Sequence, residues 1–201
     1  MQQSLFDSPS TNLLPFHGES FLFPDFFSRE EADVFFTTLQ SDLNWKQEPI
    51  WMFGKQVLQP RLTALYGDPT VPYGYSGIQM LPLAFTPALA VIRNRLQQFT
   101  QTTFTHVLCN YYRDGNDSMG WHRDNEPVLG KNPTIASLTF GATRSFQMRD
   151  YATKSTKVEL ALSHGSLLLM SGESQHFWEH QLPKTKKIQA PRINLTFRKL
   201  G

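Results

Sequence analysis

From about residue 104 onward, apolar and polar positions alternate with a period of two. The runs FTHVLCNYYR, TIASLTFG, RSFQMRD, KVELALS, GSLLLMSG, HFWEHQL and RINLTFRKL are short and β-rich, and Gly, Asp, Asn and Pro separate them. That pattern predicts strands joined by turns. Many short strands in succession point to a closed or double-sheet β architecture such as a jelly roll. Before residue 104 the pattern differs. ESFLFPDFF reads as a short strand. SREEADVFFTTLQSDL predicts a helix: Ser28 caps the first amides, Glu31 completes a capping box, and Val34, Phe35, Leu39 and Leu43 form an apolar stripe. A second helix is predicted from Thr86 as cap and Pro87 as first helical residue, burying Leu89, Ile92, Leu96 and Phe99. Residues 1–18 are polar, carry Pro and Ser, and predict a flexible arm, leaving 19–201 as a single domain. The fold class is therefore α+β, with a β core over about 104–201 and two flanking helices.

Composition narrows the picture modestly. A chain of 201 residues that is 40% hydrophobic can bury one sizeable core. A net charge of +2 permits a nucleic-acid partner without demanding one. The single cysteine, Cys109, excludes an internal disulfide and a Cys-cluster zinc site, and reads as a buried small hydrophobe in a reducing, cytoplasmic setting, or a nuclear one in a eukaryote. The N-terminal stretch has no basic start followed by an apolar run, so no secretion signal is expected. No apolar stretch approaches the roughly 20 residues of a membrane span.

Candidate chemistry gathers in three places. In WHRD, His122 and Asp124 lie two apart and share a face if the segment is extended. A second His would complete a set of two His and one carboxylate, the donor set of non-haem Fe(II) oxygenases. QHFWEHQLP offers His176 and His180, which share one face of a strand, so periodicity leaves both open. His17, His106 and His164 lack a spaced carboxylate and read as structural or exposed. In RINLTFR, Arg192, Asn194, Thr196 and Arg198 alternate with apolar residues. The polar face is either ordinary solvent-facing sheet or the lining of a cavity in which arginines grip a carboxylate. Asn110 and Tyr112 share a strand face and suit a small dicarboxylate in the same way. His-x-Asp alone is a weak signal. With a distant His and an Arg about 18 positions beyond it, a metal with 2-oxoglutarate as co-substrate becomes the economical reading.

The stretches PRLTALYGD, YSGI, LCNYYRDGNDSMGWHRDNEP, LGKNPTIASLTFGATRSFQMR, HGSLLLMSGESQHFWEHQLPK and APRINLTFRK span about 60–198 and together resemble the AlkB family of Fe(II)/2-oxoglutarate-dependent dioxygenases, closest to its duplex-DNA repair branch. The resemblance implies a double-stranded β-helix core and an N-terminal nucleotide-recognition lid over about 45–80. It implies Fe(II), 2-oxoglutarate and O2 as cofactors, and oxidative demethylation of 1-methyladenine and 3-methylcytosine in DNA with release of formaldehyde. His122, Asp124 and His180 would hold iron, the HQLP context selecting His180. Asn110, Tyr112, Arg192, Asn194, Thr196 and Arg198 would hold 2-oxoglutarate, with Arg198 on its distal carboxylate. Tyr73, Tyr75 and Ser76 match the lid over the flipped base, Glu126 would face the base's exocyclic group, and Arg61 would stand beside the pocket. Phe53, beside Gly54 and Lys55, matches the finger that fills the gap left by an extruded base. The partner is alkylated DNA, expected as a duplex, with single-stranded DNA or RNA as alternatives, and the protein is expected to act as a monomer. Lys131, Lys184, Lys186 and Lys187 are candidate phosphate contacts or a solvated run. A non-catalytic reader of alkylated bases would need neither the triad nor the arginines, and a cupin-type isomerase site usually carries more histidines and no Arg-bearing terminal strand.

Overall fold

The computed structural model describes residues 11–52, 54–71, 73–75 and 78–200, and of 50–52, 73–75 and 78–80 it describes the backbone alone. The strands are β1 (Glu19–Phe23), β2 (Pro49–Met52), β3 (Lys55–Leu58), β4 (Leu62–Gly67), β5 (Tyr73–Tyr75), β6 (Ile78–Met80), β7 (His106–Tyr112), β8 (Met119–His122), β9 (Ile135–Gly141), β10 (Arg144–Asp150), β11 (Lys157–Leu162), β12 (Leu167–Ser171), β13 (Trp178–Leu182) and β14 (Arg192–Arg198). The helices are α1 (Arg29–Asp42), α2 (Pro87–Thr100) and the short α3 (Ser174–Phe177). A six-stranded sheet runs β1-β12-β9-β14-β7-β4 and a four-stranded sheet runs β11-β10-β13-β8, with every ladder antiparallel. Two small hairpins, β2-β3 and β5-β6, lie outside both sheets.

Each main element carries its cause in the sequence. Ser28 Oγ accepts from Glu31 N while the Glu31 carboxylate accepts from Ser28 N, so the predicted capping box starts α1. Thr86 caps α2 with Pro87 in its first turn. Leu89, Ile92 and Leu96 are fully buried, as the helical spacing predicts. The stripe of α1 differs at one position: Val34 is 65% exposed. Two residues along a helix turn the side chain by about 200°, which sends Val34 away from Ala32 and Leu39, the residues that α1 does bury.

The two helices cover the outer face of the larger sheet. Their apolar faces join Val107, Cys109, Leu138, Phe140, Ile193, Leu195 and Phe197 in one cluster. A second cluster, with Ile135, Phe146, Met148, Met170 and Trp178, fills the space between the two sheets. Burial pushes the Cys109 thiol well above its usual value, so it is an inert core group. Residues 11–18 do not form the C-terminal end of a loose arm. Leu14 is buried in the inter-sheet cluster and Trp178 Nε1 donates to the carbonyls of Phe16 and His17 at 3.0 Å, which ties this segment to β13. Residues 1–10 lie outside the described residues.

Gly141 links the fold to its interior. It sits at φ +87°, and a Cβ there would lie 2.5 Å from the Pro191 carbonyl oxygen and 2.8 Å from Phe36 Cε2, pressing on the entry to β14. Gly54 has a similar φ of +73° but open space around it. Gly54→Ala should cost about 1 kcal/mol from backbone conformation alone. Gly141→Ala should cost clearly more, roughly 2–4 kcal/mol, because strain and a backbone clash add. Urea unfolding of the two variants checks the ordering.

Candidate active site

Strand register builds the first part of the site. β8 and β13 pair with His180 directly opposite His122. Cross-strand partners share a face, and the two rings meet with centroids 4.2 Å apart. Asp124 follows just past the end of β8. One ligand atom from each of His122, Asp124 and His180 lies within 4.8 Å of the others, and no other such group of His, Cys, Asp and Glu occurs among the described residues. His176, the rival candidate, is not on the strand. It lies on α3 with its Nε2 2.9 Å from Asn132 Oδ1. Of the remaining histidines, His17 stacks on Phe177, His106 meets the Val71 carbonyl oxygen, and His164 Nδ1 accepts from Gly141 N.

The triad fits a divalent cation. His122 Nδ1 lies 2.8 Å from the Gly120 carbonyl oxygen and must donate to it, so Nε2 carries the lone pair, 3.9 Å from Asp124 Oδ1. Asp124 Oδ2 accepts from Arg198 Nε and Nη2 at 3.1 and 2.7 Å. Asp124 Oδ1 and His180 Nδ1 are buried and meet no hydrogen-bond donor or acceptor among the described residues. A buried carboxylate oxygen and ring nitrogen left this way are costly unless something binds them. Burial works against the Asp124 charge, but Arg198 and the two imidazoles outweigh it and hold the carboxyl at about 2. Burial first, and the neighbouring His122 second, push His180 down to about 3; burial lowers His122 as well. Two neutral rings and one ionised carboxylate are the protonation states a metal requires.

The second part of the site is the inner face of β14. Arg192, Asn194, Thr196 and Arg198 all line one cavity together with the triad. The polar face is therefore the wall of a pocket, and Arg192, Asn194 and Arg198 are buried. Asn110 and Tyr112, from neighbouring β7, line it too. The two arginines differ. Arg198 is committed to Asp124, at the metal end. Arg192 donates through Nη2 to Thr139 Oγ1 at 2.8 Å and lies 5.3 Å from the centre of the Tyr112 ring, but among the described residues no carboxylate pairs with it and its buried Nε meets no acceptor. Burial drives its pKa down to about 10, with Arg144 nearby adding to the shift against Tyr112. Such a cation calls for an anion. Of the two arginines on this wall, Arg198 meets a carboxylate and Arg192 a hydroxyl.

The expected base contacts are less fully described. Phe53 and Ser76 lie outside the described residues, and Tyr73 and Tyr75 are placed on β5 by backbone alone. Glu126 is half-buried at the start of a 3-10 turn, Pro127–Leu129. Arg61 is 3% exposed, and its Nε donates to Asn110 Oδ1 at 2.7 Å, so it braces the pocket floor. Lys131, Lys184, Lys186 and Lys187 are exposed.

The family model described as 2OG-Fe(II) oxygenase superfamily matches residues 20–198. The chain belongs to the 2OG-Fe(II) oxygenase superfamily. Within it, the chain is an AlkB-family member. It is 44% identical over 187 residues to mouse alpha-ketoglutarate-dependent dioxygenase alkB homolog 3, covering 88% of this chain and 64% of that one. It is 41% identical over 184 residues to human DNA oxidative demethylase ALKBH2, covering 87% and 70%, and 37% identical over 203 residues to the mouse ALKBH2 protein, covering 96% and 85%. The chain thus spans less than two thirds of the length of the alkB homolog 3 relative. The solved structure of OsALKBH1 superposes with a TM-score of 0.66 at 17% identity, over 90% of this chain and 97% of that one, which establishes the shared fold. Members of this superfamily use Fe(II), 2-oxoglutarate and O2.

Sequence reasoning missed several residues of the oxygenase pocket. Ser137, Phe146 and Met170 line it. Ser137 Oγ accepts from Asn194 Nδ2 at 2.8 Å, and the Phe146 ring stacks on His180 at 5.3 Å. Gln175, fully buried on α3, accepts from Asp124 N at 2.9 Å. Ser137 and Phe146 sit on predicted strands, but neighbours across a sheet depend on strand order, which no local pattern gives. The buried histidines also set a pH dependence. The unfolded chain takes up protons near the ordinary histidine value of 6.5, whereas folded His122 and His180 refuse them until lower pH. Stability of the metal-free protein should therefore fall as pH drops from 7 to 5. His180→Gln, neutral throughout, should flatten that fall, as urea midpoints at the two pH values would show.

Proposed function

We propose that the protein is an Fe(II)/2-oxoglutarate-dependent demethylase that removes N-alkyl groups, such as those of 1-methyladenine and 3-methylcytosine, from DNA and releases the methyl carbon as formaldehyde. The observation that carries the reading is the pair of buried arginines on one strand: Arg198 braces the triad carboxylate, and Arg192, lining the same cavity, pairs with no carboxylate among the described residues. The names of the ALKBH2 relatives, DNA oxidative demethylases, support DNA as substrate.

In this reading His122, Asp124 and His180 hold the iron. When bound, Fe(II) with O2 and 2-oxoglutarate supplies oxidation of the methyl C–H bond coupled to decarboxylation of the co-substrate to succinate. The rest falls to the chain's own side chains. Arg198 keeps Asp124 ionised and leaves only Oδ1 for the metal. Arg198, Thr196, Asn194, Asn110, Tyr112 and Arg192 would hold 2-oxoglutarate, with Arg192 and Tyr112 taking its far carboxylate. Arg61, through Asn110, stiffens the floor beneath it. Tyr73, Tyr75 and Ser76 cover the flipped base, and Glu126 faces its exocyclic group. A carboxylate and an aromatic face favour the cationic methylated base over the neutral one. Phe53 fills the stack vacated in a duplex, and Lys131, Lys184, Lys186 and Lys187 meet phosphates. The protein acts as a monomer.

The test is a duplex oligonucleotide bearing one 1-methyladenine, incubated with protein, Fe(II), 2-oxoglutarate and air and weighed by mass spectrometry. Wild type should remove one methylene mass, and His122→Ala should not. Arg192→Met should raise the KM for 2-oxoglutarate at least tenfold, as loss of a charged hydrogen bond of about 1.5–3 kcal/mol implies. Succinate without change in the oligonucleotide would mean a working metal site with a different substrate, and conversion of single strands alone would remove the role of Phe53.

A further inference from the structure

The peptide N–H of Asp124 sits just past the end of β8, beyond the last registered pair of its ladder with β13. Asp124 is 1% exposed, which shields that donor from bulk water. The Oε1 of Gln175 accepts from it at 2.9 Å, across 51 residues of sequence. Gln175 is itself fully buried. Its Nε2 donates to Ser174 Oγ at 3.3 Å and to the weak acceptor Met170 Sδ at 3.6 Å. Flipping the amide would set Nε2 against the Asp124 N–H, donor to donor, so the network fixes its orientation. The next residue of α3 repeats the tie, because the His176 carbonyl oxygen accepts from Arg123 Nη1 at 3.0 Å. Both residues that follow His122 are thus fastened to α3.

We infer that Gln175 is a positioning residue for the metal centre: it fixes the Asp124 main chain while Arg198 fixes the side chain, and the two together aim Oδ1 at the metal. Among the described residues, Gln175 hydrogen-bonds the Asp124 main chain, Ser174 and Met170, so it acts on the metal centre through Asp124. The inference rests on the proposed metal-binding role of His122, Asp124 and His180. Removing a group that orients a ligand from behind typically weakens metal affinity 10–100-fold.

The experiment is a Co(II) titration of the full chain under N2, followed by visible absorption, which reports both affinity and ligand geometry. Wild type should bind one Co(II), and His180→Ala should abolish the signal while His176→Ala keeps it; failure of this control would overturn the metal reading itself. Gln175→Leu removes the acceptor at similar volume, and should weaken Co(II) binding about tenfold or more and alter the spectrum. Gln175→Glu, which still offers an oxygen to the Asp124 N–H, should restore affinity to within a few-fold of wild type. Circular dichroism of the metal-free variants establishes folding, and Gln175→Met, flexible and without the acceptor, replaces the Leu variant if that one does not fold. Wild-type affinity and spectrum in the folded apolar variant would overturn the inference with the metal site intact, as would a Glu variant as weak as the apolar one.

Discussion

The structure depends on one constraint: β14 lies inside the larger sheet, between β9 and β7, and both of its faces are buried. Successive side chains on a strand point to opposite faces. Ile193, Leu195 and Phe197 therefore enter the helix-covered core, while Arg192, Asn194, Thr196 and Arg198 enter the space between the sheets. A strand buried on both sides is ordinarily apolar throughout. Here one face is polar and carries two cations, and those groups must be answered by hydrogen bonds or by counter-charge. Neighbouring strands supply part of the answer through Thr139 and Ser137 on β9 and, on β7, Asn110.

The two arginines are answered differently. Arg198 and Asp124 neutralise each other, which holds the carboxylate ionised in a buried place and occupies one of its oxygens. Arg192 is left with neutral partners only, among the described residues. A buried cation without a counter-ion destabilises the folded chain, and an anion bound beside it would relieve the cost.

Much of this was legible before the structure. Periodicity marked β7 and β9–β14, the caps marked α1 and α2, and alternation in RINLTFR put both arginines on one face. Whether that face met solvent or a cavity was not legible, because it depends on which strands lie beside β14. The choice between His176 and His180 failed on periodicity for a related reason. The helical turn α3 takes the first two residues of the run HFWEHQL, and no Pro or Gly within the run separates them from the strand. β8 was missed because MGWH is too short to show alternation. The difference between Arg192 and Arg198 rests on an ion pair between residues 74 apart in sequence, which only the packed structure brings together.

The most direct measurement is a crystal structure of the protein with Mn(II) and 2-oxoglutarate, grown without O2. An anomalous peak bonded to His122, Asp124 Oδ1 and His180 is expected, with the far carboxylate of 2-oxoglutarate paired to Arg192 and Arg198 still on Asp124. A metal bound elsewhere, or a far carboxylate paired to Arg198 with Arg192 empty, would contradict it.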